Sequence, residues 1–406
     1  MKANRCARAG RAAGGPTRET AEQFTLTGQI LGWAVCLVAG WGAPQLWGTD
    51  HVSFMRDARS LQVEGKIVVE AQDGGVLLMD RAGALWAVPP EEKKSQSTDS
   101  APFTYFNKEE LAKQLTEELP PGFRIHDTAH YLIVYNTSPV YAQWCGGLFE
   151  RLYNGFTNYW SKRGFELHEP ETPLVALLFD GRETFNQYAR RELGDATPSI
   201  IGYFSLASNR ITTFDLTGAD ALAGGRRATS TEHVTRLLSR PEAERTVATI
   251  VHEATHQVAF NCGLQTRYAD IPLWLSEGIA IYFETPDLQS SRGWSGIGKV
   301  NRVRLAEFRQ YLRTRPADSL KTLLATDERF RNTRTAPPAY AESWALNYFL
   351  LRKYASQYQA YLRHQAEKKP LRYDTPEERL AQFTEIFGQG LGELDAEFLR
   401  FAVNLR

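Results

Sequence analysis

The stretch His252-Glu253-Ala254-Thr255-His256 decides how this chain is read. In a helix, residues four apart lie on one face, so both imidazoles can address a single metal ion. Glu253 stands between them, where it can take a proton from a water on that ion. The pentapeptide also arises by chance. Its weight therefore rests on whether the chain supplies a third protein ligand and leaves a position for water.

The surrounding residues predict a well-bounded helix. Ser239 with Glu242 fits a capping box, Pro241 falls in the first turn, and Gly263 follows Asn261-Cys262 as a stop. Val247, Val251, Ala254 and Val258 form an apolar flank, so the helix is expected to be buried. Burying two imidazoles and a carboxylate is costly unless they are engaged. Asp270, Glu277 and Glu284 are the candidates for the third ligand. Glu277 is preferred. It lies in Pro272-Leu273-Trp274-Leu275-Ser276-Glu277-Gly278-Ile279-Ala280, a second helix opened by Asp270 and Pro272. The loop 263–271 lets that helix fold back on the first, and Gly278 and Ala280 are small enough for close approach beside the metal. Glu284, nearly two turns on, is expected to miss the site. Asp270 is expected to cap the second helix, the alternative being support of a ligand histidine from behind.

Here a resemblance enters. HExxH followed by W-L-x-E-G-x-A resembles the gluzincin clan of zinc metallopeptidases, and the wider context is similar to a bacterial, exported, peptidase-like family of unknown function within it. The matching stretches are residues 246–257, 272–280 and 340–346, and the similarity extends over about 103–406. The resemblance implies a zincin-like catalytic domain and Zn2+ held by His252, His256 and Glu277. It also implies Glu253 as general base and proton shuttle, and a peptide or protein substrate. A tyrosine from the following helical region often donates to the oxyanion in such enzymes; Tyr340 is the candidate here, with Tyr348 and Tyr268 behind it. The metzincin pattern would need Gly and His where Ala259 and Cys262 stand. One gluzincin pattern has an aspartate four residues after the glutamate ligand; this chain has Ile281 there, so no support for the ligand histidines is assigned. The strand 210–214 is expected, by analogy, to form the sheet edge beside the cleft, an interior strand being the plainer reading.

The fold class expected is α+β: a mixed sheet with the active-site helix, then a mainly helical C-terminal part, preceded by a small β-meander. Residues 1–48 read as a signal peptide or N-terminal anchor. Lys2, Arg5, Arg8, Arg11 and Arg18 precede an apolar run at 30–41 and small residues before Pro44. The protein is thus expected to be exported, with membrane attachment only through this segment. Residues 49–95 read as the meander, with strands at 66–70, 76–79 and 84–88, and 96–102 as part of a polar linker beginning at Pro89. Residues 103–238 read as an α/β upper part of the catalytic domain, ending in a mobile loop over 218–238. Residues 239–406 carry the active-site helices and a helical remainder.

With 406 residues, 43% of them hydrophobic, the chain can bury a large core. Lys plus Arg and Asp plus Glu both number 47, which removes the overall field that draws proteins to nucleic acid. None of the four cysteines forms a C-x-x-C pair; with the leader removed, Cys145 and Cys262 remain, as a disulfide or as buried thiols. His126 and His130 are read as ordinary residues rather than a second metal site. Two other function classes stay open beside the peptidase: a peptidase-like binding protein without turnover, and a zinc hydrolase of non-peptide substrates.

Overall fold

In a computed structural model of the chain, residues 48–194, 197, 200–217, 228–285, 288, 294 and 296–406 are described. The leader read at 1–48 lies, but for its last residue, outside the described residues. Among those described, no helix is long and apolar enough to cross a membrane.

The architecture is α+β, with two sheets. The first contains β1 (Gly48–Arg56), β2 (Arg59–Glu70), β3 (Val76–Asp80), β4 (Leu85–Val88) and β5 (Lys93–Pro102), in the order β4-β3-β2-β1-β5. The three expected strands are thus part of five. β1 and β2 form a long hairpin closed at Asp57-Ala58, both with positive φ (50° and 60°), as a two-residue primed turn demands. The expected linker at 96–102 is not a linker: it belongs to β5, which pairs antiparallel with β1. Its side chains are exposed and polar because β5 is an edge strand, while its backbone is satisfied by the ladder. Val52, Phe54, Val76, Leu78 and Val88 form this sheet's own core. It is fastened to the rest of the molecule by Leu85 N–H donating to Ala207 O (2.7 Å) and Phe106 N–H donating to Arg81 O (2.8 Å).

The second sheet is mixed. β6 (Arg124–Asp127), β7 (Tyr131–Tyr135), β8 (Leu174–Phe179), β9 (Gly202–Phe204) and β10 (Arg210–Phe214) lie in the order β6-β7-β8-β10-β9. β7, β8 and β10 run parallel to their neighbours in this set and are buried along their whole length, hence the unbroken apolar sequences of β7 and β8, while β10 also buries Arg210, Thr212 and Thr213. β9 runs antiparallel to β10 and forms the edge. The strand 210–214 is therefore interior, and the edge expected there belongs to β9. The helices α1 (Lys108–Glu118), α2 (Pro139–Ser161) and α3 (Arg182–Leu193) accompany the sheet. α4 (Thr231–Leu238) occupies the second half of the segment read as a mobile loop; Val234, Leu237 and Leu238 bury its apolar face. Residues 218–227 lie outside the described residues.

The rest is helical: α5 (Pro241–Asn261), α6 (Leu273–Phe283), α7 (Arg302–Tyr311), α8 (Ser319–Ala325), α9 (Glu328–Arg331), α10 (Ala336–Lys353), α11 (Ala355–Ala366), α12 (Pro376–Phe387) and α13 (Leu391–Asn404). Cys145 and Cys262 are both buried free thiols, which settles that alternative. His130 Nδ1 pairs with Glu150 (2.7 Å) and its ring stacks on Tyr153, an ordinary structural role.

The helical part is bound together at Glu342, which is fully buried on α10. Its carboxylate accepts from Arg315 Nε (2.7 Å), Arg329 Nη2 (2.8 Å) and Ser319 Oγ (2.8 Å), and Arg315 also pairs with Asp395 on α13. Removing one partner of such a cluster leaves buried charge uncompensated, typically at 3–5 kcal/mol. Glu342→Ala is therefore expected to lower the unfolding free energy by about 3–5 kcal/mol in urea titrations at unchanged m value. A loss below about 1 kcal/mol would show that the cluster is not a keystone.

Candidate metal centre

α5 carries His252, Glu253 and His256. Its start differs from the capping box expected. Ser239 is the C-cap of α4, and Arg240 is the N-cap of α5, its side chain making no capping hydrogen bond. Pro241 does stand in the first turn, and Glu242 and Glu244 complement the positive end of the helix dipole. The stop is as expected, with Cys262 as C-cap and Gly263 at φ 82°. Gln257 pins the helix to the sheet by donating to Val175 O (3.1 Å) and Asn209 O (2.8 Å).

α6 carries Glu277. Its first N–H is satisfied from a distance, Leu273 N donating to Asp327 Oδ1 (3.0 Å). Asp270 neither caps α6 nor supports a histidine: it pairs with Arg379 and accepts from Asp374 N (3.0 Å). The close approach expected at Gly278 beside the metal is instead made to α10. A Cβ there would meet Asn347 Nδ2 at 1.8 Å and Ser343 O at 2.9 Å. Asn347 donates to Trp274 O (3.0 Å), so α6 is held rigidly against α10.

The two helices bring the expected ligands together. His252 Nε2 lies 3.0 Å from Glu277 Oε2, His256 Nε2 lies 3.1 Å from His252 Nε2, and His256 Nε2 lies 3.6 Å from Glu277 Oε2. Metal–ligand bonds of about 2.0–2.1 Å in a tetrahedron imply ligand separations of roughly 3.3 Å, so this triangle fits one face of such a site. Among the described residues this is the one cluster of His, Cys, Asp or Glu with that geometry. Glu253 is 4% exposed and accepts from Phe204 N–H of β9 (2.9 Å), which fixes its carboxylate against the sheet edge.

Support behind the ligands, unassigned from sequence, is present. Glu284 misses the ligand triangle, as expected, but its Oε1 lies 3.7 Å from His252 Nδ1, an atom with no hydrogen bond among the described residues. Arg304 holds Glu284 from the other side (3.6 Å). Glu284 stands seven residues after Glu277, two turns along the same helix face, which is the signal that could have found it. On the other histidine, His256 Nδ1 lies 3.3 Å from Ser276 Oγ, whose proton goes to Gln265 Oε1 (3.0 Å). A hydroxyl that donates to Gln265 accepts from His256, so Nδ1 carries the proton and Nε2 turns its lone pair to the site.

The electrostatics ask for a cation. Glu253, Glu277 and Glu284 are all at most 5% exposed, and Arg304 is shared with Glu307. Burial alone would raise the Glu277 carboxyl, but His256 and His252 hold it well below the usual carboxylate range. Burial also opposes the His252 imidazolium, and Glu277 outweighs it, so that pKa is raised; at His256 burial prevails and the pKa is lowered. Two imidazole nitrogens and a carboxylate are a donor set that several first-row divalent metals accept.

Tyr340 lies inside α10 rather than at its start and is 4% exposed. Its ring meets Phe330 edge-on (5.3 Å) and faces the Arg304 guanidinium (5.8 Å). It is thus joined to His252 by way of Arg304 and Glu284. Tyr348 packs against Tyr282, Trp344 and Phe401, and Tyr268 sits in the loop before α6 with φ 62°.

Residues 246–372 match a family described as "Protein of unknown function (DUF1570)". That span contains His252, Glu253, His256, Glu277, Glu284 and Tyr340 and none of the strands. No curated protein matches the chain.

The arrangement predicts one divalent cation per chain in a chelator-competition titration. Glu277→Gln should abolish stoichiometric binding, and Glu284→Gln should weaken it about 10–100-fold by freeing His252. Wild-type affinity in Glu284→Gln would remove Glu284 from the site.

Proposed function

We propose that this chain is a zinc-dependent hydrolase of peptide bonds, with a zincin-like catalytic domain of gluzincin type. The observation that carries the reading is the ligand triangle of His252, His256 and Glu277, with Glu253 held beside it on the edge strand. His252, His256 and Glu277 would hold the zinc. When bound, the ion supplies a Lewis acid that polarises the scissile carbonyl and brings the pKa of a water to about 7.

The chain's own residues do the rest. Glu253 takes the proton of the attacking water on its carboxylate and passes it to the leaving amine nitrogen. Phe204 N–H keeps that carboxylate in place while its charge changes. Ser276 orients the His256 imidazole, and Glu284 stands 3.7 Å behind His252 Nδ1. Tyr340 is proposed to donate to the developing oxyanion. β9, as the terminal strand of the mixed sheet, is proposed as the strand beside which an extended peptide lies. The basic start and apolar run within residues 1–48, read as a signal peptide or N-terminal anchor, support the reading that the enzyme is exported.

Metal analysis paired with cleavage of a mixed peptide library tests the proposal. Glu253→Gln should keep one zinc per chain and lose about 10²–10⁴-fold in turnover. Tyr340→Phe should lose about 10²–10³-fold in kcat. Wild-type protein that binds zinc and cleaves no peptide would overturn the peptidase reading in favour of a binding protein. Cleavage retained in Glu253→Gln would overturn the assignment of the base.

A further inference from the structure

A cavity of about 220 Å3 lies between the small sheet and the helix-bearing part of the molecule. It has room for roughly seven waters, or a molecule of about that many heavy atoms. Arg267 and Gln265 line it, and both are buried, at 9% and 2% exposure. The Arg267 guanidinium donates to Leu206 O from Nη1 (3.1 Å) and to Gly83 O from Nη2 (2.8 Å). Among the described residues, none gives it an ion-pair partner. Gln265 Oε1 accepts from Ser276, while its Nε2 has no hydrogen bond among the described residues. On the same wall, Tyr105 donates to Glu171 (2.9 Å), and Glu171 is exposed.

A buried guanidinium with only neutral acceptors is poorly compensated. Burial pushes the Arg267 pKa down to about 10, and Tyr268, Tyr105, Asp80 and Glu171 offset this only in part, so the group is still cationic at neutral pH. Water filling the cavity would leave the charge uncompensated. A carboxylate compensates it, since its two oxygens match the planar fork of the guanidinium. Glu171 argues against a multiply charged anion such as phosphate and favours a ligand whose other end is cationic.

We propose that this cavity is a binding site for a small zwitterion of the amino-acid class. Its carboxylate is held by Arg267 and its ammonium by Glu171. The binding does not rest on the metal-centre reading.

Isothermal titration of the full chain with L-alanine tests the site. Acetate, which lacks the ammonium, and ethylamine, which lacks the carboxylate, are the comparison probes. L-alanine should bind at one site and more tightly than either. Arg267→Gln should weaken it by about 10-fold or more. Because Arg267 also holds two carbonyls, Val68→Trp supplies a variant at an exposed position on the cavity wall that leaves those bonds in place. It should likewise weaken binding. The proposal is overturned if L-alanine does not bind at tens of millimolar, if acetate binds as well, or if folded Arg267→Gln or Val68→Trp binds it like wild type. The measurement needs neither metal nor turnover, so its failure is separate from failure of the hydrolase reading.

Discussion

The constraint on which the site depends is charge. Three carboxylates, Glu253, Glu277 and Glu284, are buried around two imidazoles, and the guanidinium of Arg304 is divided between Glu284 and Glu307. Buried charge is tolerated where it is paired or coordinates a metal. A divalent cation at the ligand triangle would balance the set, and the helices are arranged to hold that triangle in place. Gln257 ties α5 to the sheet, Asn347 ties α6 to α10, and Glu342 ties α10 to the helices behind it. The precision of three ligand atoms within 3.0–3.6 Å thus depends on anchors well outside the centre.

Much of this was legible in the sequence because the signals are local. The four-residue spacing of His252 and His256 is a helix periodicity. Glu277 followed from a second helix with its own proline start. The buried strands β7 and β8 announced themselves as unbroken apolar runs. The α+β class followed from those runs giving way to three-and-four spacing after about residue 298.

What escaped is non-local. β5 has the composition of a linker because an exposed edge strand can be polar on both faces while its backbone is paired. The β1–β2 hairpin turns on Asp57-Ala58, which lacks the glycine that normally marks such a turn. Ser239 had the right spacing to cap α5, but α4 ends on it. Asp270 had the right position to cap α6, but Arg379, distant in sequence, claims it. The analogy that made 210–214 an edge strand fails and the plainer interior reading is the one observed, since order within a sheet is not written in any single strand. Glu284 was set aside for its distance from the ligands, although a residue two turns along the same face is well placed to stand behind a histidine.

The central claim is that His252, His256 and Glu277 together hold one zinc ion. X-ray absorption at the zinc edge of the purified protein tests it most directly. The account predicts a first shell of nitrogen and oxygen at about 2.0–2.2 Å with the outer-shell scattering of two imidazoles. A sulfur shell at about 2.3 Å, or a first shell without imidazole, would contradict it.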